Sequence, residues 1–453
     1  MTAEIFCRNL TRDCRIAPGS HVLAAVSGGA DSTALFCLLC EAAPLLSLTV
    51  SCAHMEHGIR GEASLEDLSF VRALCEKKGV AFYAEPADAR GYAAAHGYGL
   101  EDAARELRYA FLERTARAIG ADAIALAHHA GDQAETVLLH AARGSDLRGL
   151  CAMRSRRGNL VRPLLGTTAQ ELRAYLSEIG QTWREDGTNA DVEYPRNRVR
   201  HRVLPELERA CPGAQAALVR LARAAQRDEA YFECQLSSLA LPKPLGLTDG
   251  LAFEREALCA LHPAIASRLL VRLIERGGLS AQSAETIERI MAALQAGCEA
   301  TVNLAGGAHA HIGARTLCLT AQRPPAEDTP LAPEGETDTP FGRFRVREAL
   351  HGEMGDGKRA QSVPVSLLAG ASIGSRRPGD HLRPLHGAGR TALKKLLSGA
   401  GVERAMRDSV PVLRSANGDI LWIAGIRPDA RCEIGPWERA ALVEWLGPRE
   451  IDI

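Results

Sequence analysis

The chain has 453 residues, 46% of them hydrophobic and 24% charged, with Lys+Arg 54 against Asp+Glu 55 and a formal net charge of -1. That length predicts roughly three domains with substantial cores, and the balanced charge excludes a uniformly basic nucleic-acid binder, so an RNA surface must come from local clustering. No charged-then-apolar leader opens "MTAEIFCRNLTRDCRIAPGS" and no run approaches the ~20 apolar residues that span a bilayer, which predicts a cytoplasmic protein with no membrane segment.

Residues 21 to 165 alternate β-type apolar runs with helical patterns: "HVLAAV", "ADSTALFCLLCEA", "LSLTVSCAH", "SLEDLSFVRALCEKKG", "VAFYAEP", "LEDAARELRYAFLERTARAIG" and "ADAIALAHH". Strand–helix–strand repetition predicts an α/β domain, a parallel sheet covered by helices on both faces, within residues 1–214. Ligands of such sheets sit at the carboxyl ends of the strands. Two polar stretches, "SGGADS" and "HHAGDQAET", follow predicted strands and so point to one rim.

In "SGGADS", consecutive N–H groups of Ser27, Gly28, Gly29, Ala30, Asp31 and Ser32 at a strand-to-helix turn make an anion nest, and the helix N-terminus adds partial positive charge. Phosphate is the natural guest, with hydroxyls from Ser27 and Ser32 and a carboxylate, Asp31, to hold magnesium against it. The same residues also suit an ordinary helix cap. There is no Walker lysine and no G-x-G-x-x-G. The 13 cysteines sit mostly in apolar runs, as reduced core thiols do; Cys37 and Cys40 form one C-x-x-C on a single helical face. In "DQAET", Asp132 and Glu135 share a helical face and also fit a capping box.

Between 143 and 202, Lys+Arg number 12 and Asp+Glu seven, a local +5. There "RNRVRHR" puts Arg196 and Arg200 on one helical face and Arg198 and Arg202 on a neighbouring one, with Val199 and Val203 turned inward. Residues 215–320 read as mainly helical, ending in short strands around Gly-rich turns. Residues 321–340, with five prolines and five acids, read as an extended linker. The last unit, 341–453, carries eight Lys/Arg and two acids in "SRRPGDHLRPLHGAGRTALKKLLSGAGVERAMR". Aromatic residues are only 4%, which favours phosphate and shape contacts over a stacking platform.

"SGGADS" after a strand resembles the pyrophosphate loop of the N-type ATP pyrophosphatases. The ordered set "HMEHGIRGEAS", "LEDAARELRYAFL", "LAHHAGDQAETVLLHAARGSDLRGLCAM", "RPLL", "EDGTNADVEYPRNRVRHRVLPEL" and "SRRPGDHLRP…ALKKLLSGAGVERAMRDSVPVL" resembles the tRNA(Ile)-lysidine synthetases in their long bacterial form. The resemblance implies an adenine nucleotide alpha hydrolase-like N-terminal domain, a helical central domain and a small mixed α+β C-terminal domain. It implies ligation of lysine to carbon 2 of the wobble cytidine of a CAU-anticodon isoleucine tRNA through an adenylated intermediate, with ATP and magnesium. Asp31, Asp132 and Glu135 are then the catalytic carboxylates: Asp31 and Asp132 on magnesium, or Asp132 positioning or deprotonating the amine, and Glu135 orienting the amine or a cation. Substrate or tRNA contacts are implied for His57, Arg60, Arg105, His128, His129, Arg143, Arg196, Asn197 and Arg200, and in the terminal domain for Arg376, Arg377, Lys394 and Lys395. The architecture is compatible with a homodimer. His54 also lies near the rim, and no feature supplies a convincing zinc set. The chain departs from the family at Gly131, where an aspartate is usual. That departure keeps open a catalytically silent tRNA-binding protein; a tRNA thiolase of the same superfamily is the nearer alternative, and it would need reactive cysteines beside the loop.

Overall fold

The computed structural model describes residues 2–56, 62–185, 195–248, 250–321, 327–350, 352–385, 387, 389–435 and 438–448. They fall into two compact units, Met1–Tyr231 and Phe232–Ile453.

In the first unit α1 (Ala3–Arg8) and a π turn (Asn9–Asp13) precede β1 (His21–Ala25), α2 (Ala30–Leu46), β2 (Thr49–Glu56), α3 (Glu62–Lys78), β3 (Ala81–Pro86), α4 (Ala89–His96), α5 (Leu100–Ile119) and β4 (Ala123–Ala125). Then come α6 (Ala130–Ala142), α7 (Leu147–Leu150), β5 (Arg156–Arg157), β6 (Leu160–Val161), α8 (Ala169–Glu178), α9 (Pro195–Arg198), a second π turn (Val199–Val203), α10 (Leu204–Ala210) and most of α11 (Ala214–Ser238), whose last residues belong to the second unit. The sheet order is β3-β2-β1-β4-β6-β5, parallel except for the β5–β6 edge.

β1 is an unbroken apolar run because both its faces are covered. Val22 and Ala24 face a core with Leu35, Leu38, Leu39, Val71 and Leu172, while Leu23 faces a second core with Phe111, Leu112 and Ile124. Leu23, Leu35 and Leu38 are fully buried, so truncation of any one to alanine costs about 2–5 kcal/mol. Winding runs outward from β1 through β2 to β3 and, in the other direction, to β4. The gap between the carboxyl ends of β1 and β4 is therefore the topological switch point where open α/β sheets bind ligands.

In the second unit, helices Pro263–Arg276 and Ala284–Ala296 set Leu269, Leu270, Leu273, Ile287 and Ile290 against Leu251, Phe253, Leu317 and Leu319 of a five-stranded antiparallel sheet. Further antiparallel sheets of five and four strands enclose Trp422 and Phe344, whose rings meet edge-on at 6.4 Å. Part of the stretch read as a linker is sheet: Thr329–Pro330 pairs with Ser372–Ile373, and Gly335–Thr339 pairs with Gly342–Val346. Thr337 and Thr339 hydroxyls bond nearby backbone there, satisfying groups that an extended linker leaves to water. No helix among the described residues is long and apolar enough to cross a membrane.

Candidate active site

The loop after β1 turns on Gly28, whose φ of +95° lies in the left-handed region that a side chain disfavours. Its carbonyl accepts from the Arg184 N–H at 2.9 Å and from the Thr33 hydroxyl at 3.2 Å. Ser32 Oγ accepts from the Ser27 N–H and lies 3.1 Å from Ser27 Oγ, closing a ring of polar groups around the start of α2. Gly29 caps that helix with no side-chain bond, so its first N–H groups remain for a ligand. Behind the loop, buried His54 bonds the Val26 carbonyl at 2.8 Å, and burial lowers its pKa. It ties β2 to the end of β1 and is not among the cavity-lining residues.

A cavity of about 550 Å³ opens at the switch point, within the range of small-molecule sites. Ser27, Gly29, Ala30, Asp31 and Ser32 form one side and His128, His129 and Asp132 another; Met55, Phe111, Leu112 and Leu126 supply an apolar wall. Asp31 Oδ1 is buried without a hydrogen-bond partner, and burial raises the pKa of its carboxyl. Its Oδ2 is 3.6 Å from His129 Nε2. An unpartnered carboxylate oxygen beside a phosphate nest fits a magnesium ion, which is typically held by one or two carboxylates together with substrate phosphates.

Asp132 is placed differently. Its Oδ2 accepts from the His129 N–H at 3.0 Å, and its Oδ1 accepts from Arg196 at 3.1 Å and Arg200 at 2.8 Å. Burial pushes its carboxyl pKa up, but the His129 ring and N–H and Arg196 outweigh that, and the net shift is downward. With both oxygens engaged and low basicity, Asp132 is a poor proton acceptor. Glu135, 1% exposed, takes Arg196 Nε at 2.9 Å and Arg200 Nε at 2.5 Å. Arg196 and Arg200 therefore do not form a free row for phosphates. They grip α6, and Arg200 lines the cavity. The helical reading of "RNRVRHR" misses the π turn at Val199–Val203, which leaves Val203 45% exposed instead of packed inward.

His128 Nδ1 accepts from Arg162 Nε at 3.2 Å, which leaves the ring proton on Nε2. Burial lowers its pKa to about 3, so it is neutral. His129 caps α6: its Nδ1 accepts from the Gly131 N–H at 2.9 Å, which sets Nε2–H between Asp31 and Asp132. Gly131 is part of this fit, since a Cβ there would lie 2.7 Å from His129 Cε1. Arg105 is exposed and stacks on Tyr109 at 5.1 Å, outside the cavity lining. Three residues on, Arg108 lines the cavity with a buried, unpartnered Nε; the motif reading missed it because "ARELRY" offers two arginines and only the helical phase chooses between them.

Arg143 caps the far end of α6, about 16 Å along the axis from Asp132. Asn197 is half-buried on α9. His57 and Arg60 lie outside the described residues. In the second unit Arg376 holds Asp408 at 2.6 Å and Arg377 holds Asp328 at 2.8 Å, whereas Lys394 and Lys395 are exposed. Cys37 and Cys40 are not among the cavity-lining residues, and burial raises both thiols, Cys40 to about 12. They are poor nucleophiles for a thiolation reaction.

A family model described as a PP-loop domain, an ATP-binding unit, matches residues 2–207, and one described as the TilS substrate C-terminal domain matches residues 371–445. The chain is 40% identical over 341 residues to the tRNA(Ile)-lysidine synthase of Thermus thermophilus, an alignment covering 74% of this chain and 64% of that protein. It is 33% identical over 458 residues to the tRNA(Ile)-lysidine synthase of Geobacter sulfurreducens, covering 96% and 94%. Among solved structures, the U34-tRNA thiolase NcsA from Methanococcus maripaludis shares 18% identity at a TM-score of 0.43, covering 49% of this chain and 78% of that one, too distant to bear on activity.

Proposed function

Because the chain belongs to the tRNA(Ile)-lysidine synthase family, we propose that it joins lysine to carbon 2 of the wobble cytidine of CAU-anticodon isoleucine tRNA, moving decoding from AUG to AUA. The cytidine oxygen attacks the α-phosphorus of ATP and the bond to the β-phosphate breaks, releasing pyrophosphate. The lysine amine then attacks carbon 2, loses a proton, and AMP departs with the oxygen. ATP chemistry is assigned to residues 1–214 and RNA contacts to 215–320 and 341–453. Sedimentation of the purified chain decides between a monomer and the homodimer this architecture allows.

The observation that carries this reading is the convergence of an uncapped helix N-terminus, the orphan Asp31 Oδ1 and the cations Arg108, Arg173 and Arg200 on one cavity. The helix N–H groups and cations suit a triphosphate whose negative charge grows on the leaving group. Asp31 and phosphate oxygens would hold magnesium, which neutralises departing pyrophosphate. Asp132 and Glu135 act as positioning residues that aim Arg200. The thiolase reading lacks reactive cysteines at the cavity, and replacing Cys37 and Cys40 by alanine should leave activity intact.

The test is AMP release in the presence of magnesium, ATP, lysine and the CAU-bearing tRNA. Asp31→Asn should abolish release while tRNA affinity changes less than about threefold. Equal loss of both would overturn the assigned role. Release of no AMP by the wild-type chain, with tRNA bound, would favour the silent binder.

A further inference from the structure

A second cleft in the first unit, of about 970 Å³, is formed by α1 and its π turn, the 153–156 segment and α11. Six exposed arginines, Arg8, Arg12, Arg15, Arg154, Arg223 and Arg227, line it together with the more buried Arg156 and Arg162, against one carboxylate, Asp13. Among the described residues no ion pair with a carboxylate occupies these six. Some arginines elsewhere in this unit are paired with carboxylates, Arg184 with Glu66 and Asp67, and Arg196 and Arg200 with Asp132 and Glu135. Six like charges lining one cleft repel one another, and neither the core nor the ATP cavity needs them there. A polyanion relieves that repulsion, and guanidinium forks match phosphate oxygens.

Hydrogen bonds tie the walls together. Asn9 bonds the Pro163 carbonyl at 3.1 Å, Gln226 bonds the carbonyls of Cys151 and Met153 at 2.7 and 3.0 Å, and Gln133 exchanges two bonds with Met153. Gln133 adjoins Asp132 on α6, so the floor of the cleft is built on the helix that carries the active-site carboxylates. Arg162 joins the two sites directly, donating to His128 in the ATP cavity and to the Arg154 carbonyl on the cleft rim. A groove also connects them: it shares Arg223 with the cleft, and Asp31, His129 and Arg200 with the ATP cavity.

We infer that this cleft binds backbone phosphates of the RNA strand whose nucleotide enters the ATP cavity, holding the segment beside the reacting base. A free nucleotide needs fewer cations than six, and a connected path of this kind suits a chain of phosphates running from the reacting atoms. The inference rests on the proposed tRNA reading and adds to it a binding surface that the motifs did not single out.

Binding of CAU-bearing isoleucine tRNA is measured from 50 to 300 mM salt for the full-length wild type and for Arg8→Ala/Arg12→Ala/Arg227→Ala, with ATP affinity read in parallel and folding checked by thermal melting. Each arginine that neutralises a phosphate of a single strand adds about 0.7 to the steepness of the log–log salt plot, so the triple variant should be shallower by about 2 and bind about tenfold or more weakly, with ATP affinity unchanged. The charge-reversed pair Arg8→Glu/Arg12→Glu should weaken binding further. An unaltered slope and affinity in both variants overturns the inference while leaving the proposed reaction standing. A wild type that binds no tRNA overturns both.

Discussion

Glu135→Ala separates a buttress from a catalyst. Glu135 is 1% exposed and accepts three hydrogen bonds, one from Arg196 Nε and two from Arg200, at 2.5 to 2.9 Å. Removing it leaves two guanidinium groups facing Asp132 alone, and breaking a buried pair from one side costs about 3–5 kcal/mol. At about 2–4 °C per kcal/mol for a unit of this size, the first unit should melt at least ~6 °C lower. Glu135→Gln keeps an acceptor and should lose less. A double-mutant cycle with Arg200→Ala should show a coupling of at least ~1.5 kcal/mol by urea unfolding of the first unit. An alanine variant with wild-type stability but no AMP release would refute the argument, because Glu135 would then act on the reacting atoms.

Neutral His128 makes stability pH-dependent. Its folded pKa is lowered from 6.5 to about 3, so below pH 6.5 the unfolded chain takes up a proton that the folded chain refuses; this contribution is lost as pH falls. Between pH 7 and 4.5 it amounts to about 2–3 kcal/mol, which His128→Asn should remove from the urea-unfolding profile. Asp31, with its raised pKa, works in the opposite direction, so its asparagine variant should steepen the acid loss. Gly131→Asp must displace the His129 ring from its cap, costing about 1 kcal/mol and reducing AMP release; an unchanged melt and rate would show that the ring moves freely. Arg108→Ala should weaken ATP binding by about tenfold or more in equilibrium titration, and an unchanged affinity would remove Arg108 from the phosphate site.

The strand–helix alternation from 21 to 165 was legible because parallel strands covered on both faces show as apolar runs, and "SGGADS" marked the glycine turn at the end of the first, whose residues line the cavity. What the sequence hid was set by helical phase and by distant partners. Asp132 and Glu135 were visible as carboxylates on one face, but not that Arg196 and Arg200, more than sixty residues on, would occupy them. Arg105 and Arg108 differ by less than one turn, yet only Arg108 reaches the cavity. The cleft arginines come from three separated segments, so no window of sequence displays their cluster. Residues 329–339 read as a linker because their strands are short and polar, and their pairing with residues 342–346 and 372–373 decides the matter.

The most direct test of the proposed reaction is incubation of the protein with ATP, magnesium, radiolabelled lysine and, in parallel, isoleucine and methionine tRNAs bearing CAU, followed by digestion and nucleoside identification. Lysidine in the isoleucine tRNA alone is the predicted result. Absence of label from both RNAs, with tRNA binding intact, would contradict it.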